Sequence, residues 1–209
     1  ENILRSLEAN QRKKAQMAVN SNDPSFEMNA IPAPTYHLVI STGCSAFQDW
    51  QSYAVFYHAV KSGQVRTEDT EEVCYVTRVV SGCNEKEAKK MREVYEREIA
   101  PMAPGRFFIH FTPHYEFVKP TVAYKYFNKA YGYQHWMVNA LRYPYNSEKY
   151  DNVTYILLDP DQLIMRPFPN DYTNSNEIWG GPLNKRIVQK GQPFAQEYAM
   201  GVHWLVGCV

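Results

Sequence analysis

Two carboxylates stand one residue apart at the end of an apolar run, in the segment VTYILLDPDQLI. Side chains at i and i+2 of an extended chain point the same way, so Asp159 and Asp161 are expected to converge on one cation, with Pro160 stiffening the link. Hard carboxylate oxygens suit Mn²⁺ or Mg²⁺, which can neutralise a diphosphate leaving group. The alternative is an ordinary turn at a strand end, where Asp and Pro are also common.

Basic and aromatic side chains elsewhere are candidates for a ligand site. Arg78 follows a predicted strand and is a candidate partner for a diphosphate. Lys129 opens a predicted helix, where the dipole does not otherwise favour a cation. Both are also compatible with solvated surface charges. The tryptophans can stack on a uracil or a sugar, but helical stripes favour core packing for Trp50 and Trp136. The other two tryptophans are Trp179 and Trp204.

Other kinds of site are disfavoured by their surroundings. His110 and His114 have the spacing of a helical zinc pair, but Pro113 lies between them and the strand-like RFFIHF precedes them. The sequence has no glycine-rich phosphate loop of either standard pattern, which removes the main support for kinase, P-loop and dinucleotide-binding interpretations.

Strand patterns alternate with helix patterns from about residue 35. Apolar runs predict strands near 36–41, 72–80, 106–111 and 153–158. Strands that are apolar on both faces indicate an α/β fold with a mostly parallel sheet covered on both sides by helices. Ligands of such sheets lie outside the carboxyl ends of the strands. We therefore expect the chemistry just after Ser41, Val80 and Leu158.

The helices between the strands are predicted from caps and stripes. Ser45 begins one helix and Gly63 supplies its stop, while Asn84 and Glu87 cap a second helix. A third helix is predicted over 124–141. The first helix has a stripe of Phe47, Trp50, Ala54 and Tyr57, and the second has one of Ala88, Met91, Tyr95 and Ile99.

The composition limits the class of protein. The chain has 209 residues, 44% of them hydrophobic, which is enough for one globular core. The 22 basic residues balance the 22 acidic ones, so no net positive field attracts nucleic acid or an anionic membrane. Residues 1–33 are polar, as is typical of a stem or linker, and 34–209 are expected to form the folded part. We interpret the chain as a segment of a longer protein.

The cysteines and one asparagine bear on the cellular compartment. The cysteines are Cys44, Cys74, Cys83 and Cys208. They fit neither zinc-pair spacing nor a disulfide-dense mini-protein. A lumenal compartment permits at least one disulfide among them. Cys74 and Cys83 should not pair, because about nine residues of strand would separate them by roughly 30 Å. Asn152-Val153-Thr154 is an acceptor sequon for N-glycosylation.

Four sequence blocks, taken in order, carry a family resemblance. The blocks are FQDWQSYAVFYHAVKSGQ, VTRVVSG, NKAYGYQHWM and LLDPDQLIMRPFPN. With them the chain resembles the hydroxyproline O-arabinosyltransferases and peptidyl-serine α-galactosyltransferases, which are secretory-pathway enzymes of plants and algae. The likeness spans residues 36 to about 208. The closing GQPFAQEYAMGVHWLVGC is closer to the galactosyltransferase branch, whereas DPD and RPFPN are closer to the arabinosyltransferase branch, so the donor sugar stays open.

The resemblance implies a GT-A-like fold, which is a Rossmann-type α/β sandwich. It also implies a UDP-sugar donor, an Mn²⁺ or Mg²⁺ cofactor and retention at the anomeric centre. The acceptor would be a hydroxyproline or serine hydroxyl of a secretory-pathway protein. Residence in the Golgi or endoplasmic reticulum lumen is implied, in a single-pass membrane protein anchored outside this segment. The alternative is a non-catalytic structural or binding subunit that keeps this fold.

The resemblance also implies roles for single residues. Asp161 would be a metal ligand, and Asp159 would contact the metal or the ribose. The other donor-binding residues would be Thr77 and Arg78, beside the nucleotide, and Asn128 and Lys129, in the donor pocket. Ala130 departs from the Pro that the family has at that helix start. A further metal ligand and the acceptor site are expected beyond Val209.

Overall fold

A computed structural model describes residues 32–66, 72–120, 127–169 and 187–190. The chain divides into two compact units, Glu1–Arg166 and Pro167–Val209. The strands of the first unit are β1 (Tyr36–Gly43), β2 (Cys74–Ser81), β3 (Phe107–Thr112) and β4 (Thr154–Leu158). Its helices are α1 (Ala46–Lys61), α2 (Glu85–Val94), α3 (Tyr115–Val118), α4 (Phe127–Asn139) and α5 (Ser147–Tyr150). Among the described residues, no helix is both long and apolar enough to cross a membrane.

The described strands form one parallel sheet in the order β3-β2-β1-β4. This confirms the predicted α/β fold with a parallel sheet flanked by helices. Each strand begins and ends within two residues of its predicted range. Every residue of β2 is buried, as expected for an inner strand covered on both faces.

Helix α1 begins and ends at the predicted signals. Ser45 is the N-cap, and its hydroxyl accepts a hydrogen bond from the backbone N–H of Gln48 at 3.4 Å. Gly63, with φ +79°, follows the last turn in the left-handed region that favours glycine. The helix packs against the sheet through Phe56, whose ring lies 4.7 Å from that of Phe107 in β3.

Helix α2 packs on the same face of the sheet as α1. Asn84 and Glu87 form the predicted capping box, because each side chain accepts a hydrogen bond from the backbone N–H of the other. The helix continues as a π-helical turn, Tyr95–Ile99, and a short 3₁₀ turn, Ala100–Met102. Its predicted apolar stripe is confirmed, since Met91, Tyr95 and Ile99 are buried.

Helix α4 covers the opposite face. Successive strand residues point to opposite faces, so Arg78 of β2 bonds to Asp49 of α1 whereas Val79 packs under α4. A Cβ added to Gly132 would lie 3.1 Å from Val79 Cγ1, so the helix backbone is nearly in contact with the sheet. Trp136 is 1% exposed, which confirms its predicted core position.

The strand order reverses at β1. The chain runs from β1 to β2 and β3 on one side and then places β4 on the other side of β1. In open parallel sheets, ligands bind in the crevice outside the carboxyl ends of the strands that flank such a reversal. Here those ends are Gly43, which closes β1, and Asp159, which follows β4.

Candidate functional site

Asp159 is the first residue after β4, and a tight turn follows it. The backbone N–H of Gln162 donates to the Asp159 carbonyl at 3.1 Å, and the Gln162 side-chain oxygen accepts from the Asp159 N–H at 3.0 Å. Pro160 and Asp161 therefore lie in a turn and not in extended chain, so the expectation that strand geometry aligns the two carboxylates is wrong. Asp159 is partly exposed and Asp161 is exposed, so solvent reaches both carboxylates.

Lys129 and Asp159, both predicted donor-binding residues, lie in contact. The Lys129 ammonium donates a hydrogen bond to Oδ1 of Asp159, although the residues are 30 positions apart in sequence. Their side chains are 45% and 37% exposed, so the pair adds only about 0 to 1 kcal/mol to stability. Lys129 is therefore the counter-charge of the Asp159 carboxylate in this structure.

Tyr133 lies one helical turn after Lys129, on the same side of α4. Its hydroxyl donates to the backbone carbonyl of Val39 in β1, at 3.5 Å. Burial, and secondly the negative charge of Asp159, raises the pKa of Tyr133. It therefore stays a neutral donor at neutral pH and joins α4 to β1 beside Asp159. Sequence reasoning missed this residue, although its i+4 spacing from Lys129 is a usable signal.

Asn128 ties the start of α4 to the segment after β3. Its Oδ1 accepts a hydrogen bond from the backbone N–H of Tyr115 at 2.6 Å, and its Nδ2 lies 2.7 Å from Nε2 of His114. Both ends of the amide are thus engaged within the protein. The visible role of Asn128 is to position α4 and, with it, Lys129.

Thr77 lies in the middle of β2 with no exposed surface. Its hydroxyl is 2.7 Å from Nε2 of His37 in β1. Burial lowers the pKa of His37 to about 3, so this ring is neutral at physiological pH. The pair is part of the core beneath α4.

Arg78 points to the opposite face of the sheet from Thr77. Its Nε donates to the Thr42 hydroxyl at 3.0 Å, and its Nη2 donates to Asp49 at 2.6 Å. The guanidinium also lies over the ring of Tyr53. With Arg78 1% exposed, the structure neither brings Thr77 and Arg78 together nor exposes either side chain to a ligand.

A disulfide joins Cys44 and Cys83, whose Cα atoms are 5.1 Å apart. It links the segment after β1 to the segment after β2, at the same carboxyl edge as Asp159. Cys74 is a buried thiol, and burial raises its pKa to about 12. The expectation of a disulfide is confirmed, as is the expectation that Cys74 and Cys83 do not pair. Cys208 lies outside the described residues.

The predicted core position of Trp50 is wrong, because Trp50 is 58% exposed. Asp49 of α1 pairs with the buried Arg78 and thereby fixes which side of the helix faces the sheet. Phe47 precedes Asp49 by two residues, which is about 200° around the helix, so its side chain points away from the sheet. The buried positions of α1 are instead Gln51, Ser52, Val55, Phe56 and Ala59.

The exposed rings of Phe47 and Trp50 form a pair in the first turns of α1. Their centroids are 6.0 Å apart and their planes are nearly perpendicular. Because α1 begins at the carboxyl end of β1, this aromatic pair lies near the same edge of the sheet as the disulfide. Trp179 and Trp204 lie outside the described residues.

The two histidines with zinc-pair spacing do not share a helix. His110 lies in β3 with its Nε2 2.9 Å from Nδ1 of His135 in α4. His114 instead caps α3 and contacts Asn128. This agrees with the sequence argument against a zinc pair.

Within the described residues, no group of three or more His, Cys, Asp or Glu side chains is placed to hold a metal ion. Mg²⁺ is commonly bound by one or two carboxylates together with water and substrate phosphates. Asp161 and Asp159 fit that mode of binding, provided that the ion replaces Lys129 as the partner of the Asp159 carboxylate.

Comparisons of the chain with models of known protein families, with curated proteins and with solved structures found no match.

Proposed function

We propose that this chain is the donor-binding part of a metal-dependent, retaining glycosyltransferase. It transfers a sugar from a UDP-sugar to a hydroxyproline or serine hydroxyl of a secretory-pathway protein. The observation that most supports this proposal is the contact between Lys129 and Asp159, at the carboxyl end of β4 where the strand order reverses. Opposite charges that solvent reaches at this edge suit a ligand with a diphosphate.

The roles proposed for the site follow from charge and exposure. Asp161, exposed in the turn, is the proposed metal ligand, and Asp159 contacts the metal or the ribose. When bound, the ion would neutralise the diphosphate leaving group. Displaced from Asp159, Lys129 is free to pair with a phosphate oxygen. Tyr133 holds the helix that presents Lys129.

The proposed compartment is the Golgi or endoplasmic reticulum lumen. Disulfides persist in oxidising compartments and are rare in the cytosol. The bond between Cys44 and Cys83 fits that environment and restrains two segments beside the proposed site.

A second candidate is a non-catalytic binding or structural subunit with the same fold. The ion pair that supports the first proposal also favours this one, because Lys129 neutralises Asp159 without a metal. The absence of a three-ligand group within the described ranges is likewise compatible with loss of the metal.

Titration calorimetry of UDP with Mn²⁺ tests both candidates. Asp161→Ala should abolish metal-dependent binding at little cost in stability, because an exposed carboxylate packs few apolar atoms. Asp159→Ala should impair binding similarly or somewhat less. Asp151→Ala is the matched control, since Asp151 is an exposed aspartate at the opposite end of β4. Unchanged affinity in Asp161→Ala would refute the metal site and favour the non-catalytic candidate.

Catalysis is tested separately with the full-length protein. Metal-dependent hydrolysis of UDP-sugars, measured donor by donor, should single out one pentose or hexose donor. UDP binding without hydrolysis or transfer of any donor would favour the binding subunit.

A further inference from the structure

Asn152 is the only asparagine in the printed sequence that begins an Asn-X-Ser/Thr triplet. It lies in the turn between α5 and β4, where the backbone N–H of Val153 donates to the carbonyl of Tyr150 at 3.1 Å. Thr154, the third residue of the triplet, is the first residue of β4. We infer that Asn152 is an N-glycosylation site of this protein.

The folded structure leaves room for a glycan at this position. Asn152 and its neighbour Asp151 are exposed. The Asn152 side chain makes no hydrogen bond to any residue that the structure describes, so attaching a sugar to its amide nitrogen breaks no such bond. The backbone around it is fixed, since the N–H of Thr154 donates to the carbonyl of Thr35 at 3.0 Å. A glycan would therefore project from an ordered turn into solvent.

An independent observation favours a compartment where this modification occurs. Disulfides such as the one between Cys44 and Cys83 persist in oxidising environments, of which the endoplasmic reticulum lumen is one. N-glycosylation takes place in the same compartment. The inference rests on this disulfide and on the exposed turn, and it holds whether or not the proposed transferase activity does.

The chemistry is a transfer from a lipid-linked oligosaccharide diphosphate to the Asn152 amide. The side-chain nitrogen forms a bond to the anomeric carbon of the oligosaccharide and loses one proton, which passes to solvent. The bond between that carbon and the diphosphate oxygen breaks, and the lipid diphosphate leaves. No electron transfer is involved.

The glycan would lie away from the candidate site. Asn152 precedes the amino end of β4, whereas Asp159 follows its carboxyl end. A five-residue strand places these ends roughly 15 Å apart. Access of a nucleotide to Lys129 and Asp159 should therefore not depend on the glycan.

The test uses the full chain directed into the secretory pathway of a eukaryotic host. Treatment with peptide N-glycosidase in ¹⁸O-labelled water should convert Asn152 to ¹⁸O-labelled aspartate, which mass spectrometry identifies, and should increase gel mobility. Asn152→Gln and Thr154→Ala should both abolish the mobility shift, whereas Thr154→Ser should keep it.

Secreted wild-type protein with the Cys44–Cys83 bond formed but an unmodified Asn152 would overturn the inference. So would a shift that persists in Asn152→Gln. Enzymatic removal of the glycan should leave UDP and Mn²⁺ binding unchanged, so failure of this inference and failure of the proposed function give different results.

Discussion

The two faces of the sheet are built differently, although helices cover both. The face under α1 and α2 is largely apolar and contains an ion pair between the buried Arg78 and the partly exposed Asp49. The face under α4 mixes apolar residues with uncharged polar ones, among them His37, Ser41 and Thr77. The first face therefore adds an ion pair to its apolar packing, whereas the second combines close packing with uncharged polar groups.

This difference explains which helix contributes to the candidate site. Gly132 brings the α4 backbone almost against Val79, and that approach sets the Lys129 end of the helix beside Asp159. On the other face, the ion pair of Asp49 links α1 to the sheet. With Asp49 facing the sheet, the aromatic residues in the first turns of α1 point outwards. Substitutions on each face test this difference.

Trp136→Ala should have the largest effect on stability. Trp136 is buried between α4 and the sheet, in contact with residues that include Val39 and Val79. Replacing a buried tryptophan with alanine leaves a cavity and costs about 4 kcal/mol of unfolding free energy. Urea denaturation followed by circular dichroism measures the loss. A loss below about 1 kcal/mol would show that α4 is not packed as described.

Asp49→Ala should cost about 3 kcal/mol, because it leaves Arg78 as a buried charge without its carboxylate partner. Adding Arg78→Met to this variant should restore much of the stability, since an apolar side chain of similar length needs no counter-charge. Denaturation of the single and double variants makes the comparison. A double variant no more stable than Asp49→Ala would argue against charge as the feature that orients α1.

On the α4 face, burial of His37 should make the free energy of unfolding depend on pH. Burial lowers its folded pKa to about 3, whereas an unfolded histidine titrates near 6.5. Between these values the unfolded chain binds a proton that the folded chain does not, so His37 lowers stability as pH falls through that window. Through His37 alone, the free energy of unfolding should fall by about 2 kcal/mol between pH 7.5 and pH 5.

The contribution of His37 is isolated by difference. Carboxylates also titrate at acidic pH, so denaturation at pH 7.5 and pH 5 is compared between wild type and His37→Gln. The variant should lose less stability between these two pH values. Equal losses in both proteins would mean that His37 accepts a proton in the folded state.

The sequence predicted the strands well but not the contacts between distant segments. The strands were evident because runs such as VTYILL are apolar throughout, and buried parallel strands require that pattern. The caps of α1 and α2 were also local signals. The contact of Lys129 with Asp159 and the bond of Cys44 with Cys83 depend on which strands are neighbours, and no local pattern encodes that.

The error at α1 has a different cause. Its aromatic residues recur at helical spacing, and periodicity alone assigns such a stripe to the core. The buried side of the helix includes Gln51 and Ser52. Because these two residues are polar, a search for hydrophobic residues at helical spacing does not identify that side. The deciding residue is Asp49, and its partner Arg78 lies 29 positions away.

Trp50→Ala should have the smallest effect on stability, within about 0.5 kcal/mol, because more than half of the side chain is already in water. Tyr57→Ala is the matched control, since Tyr57 is 52% exposed on the same helix but lies about two turns further from the carboxyl edge. If the Phe47–Trp50 pair contributes a stacking surface to the proposed site, Trp50→Ala should weaken binding of a UDP-sugar about tenfold, as expected for the loss of roughly 1 to 1.5 kcal/mol of aromatic stacking. Tyr57→Ala should bind as tightly as wild type. Titration calorimetry of both variants with the same donor and Mn²⁺ distinguishes the outcomes, and equal affinities would remove the aromatic pair from the donor site and leave it as an exposed surface of α1.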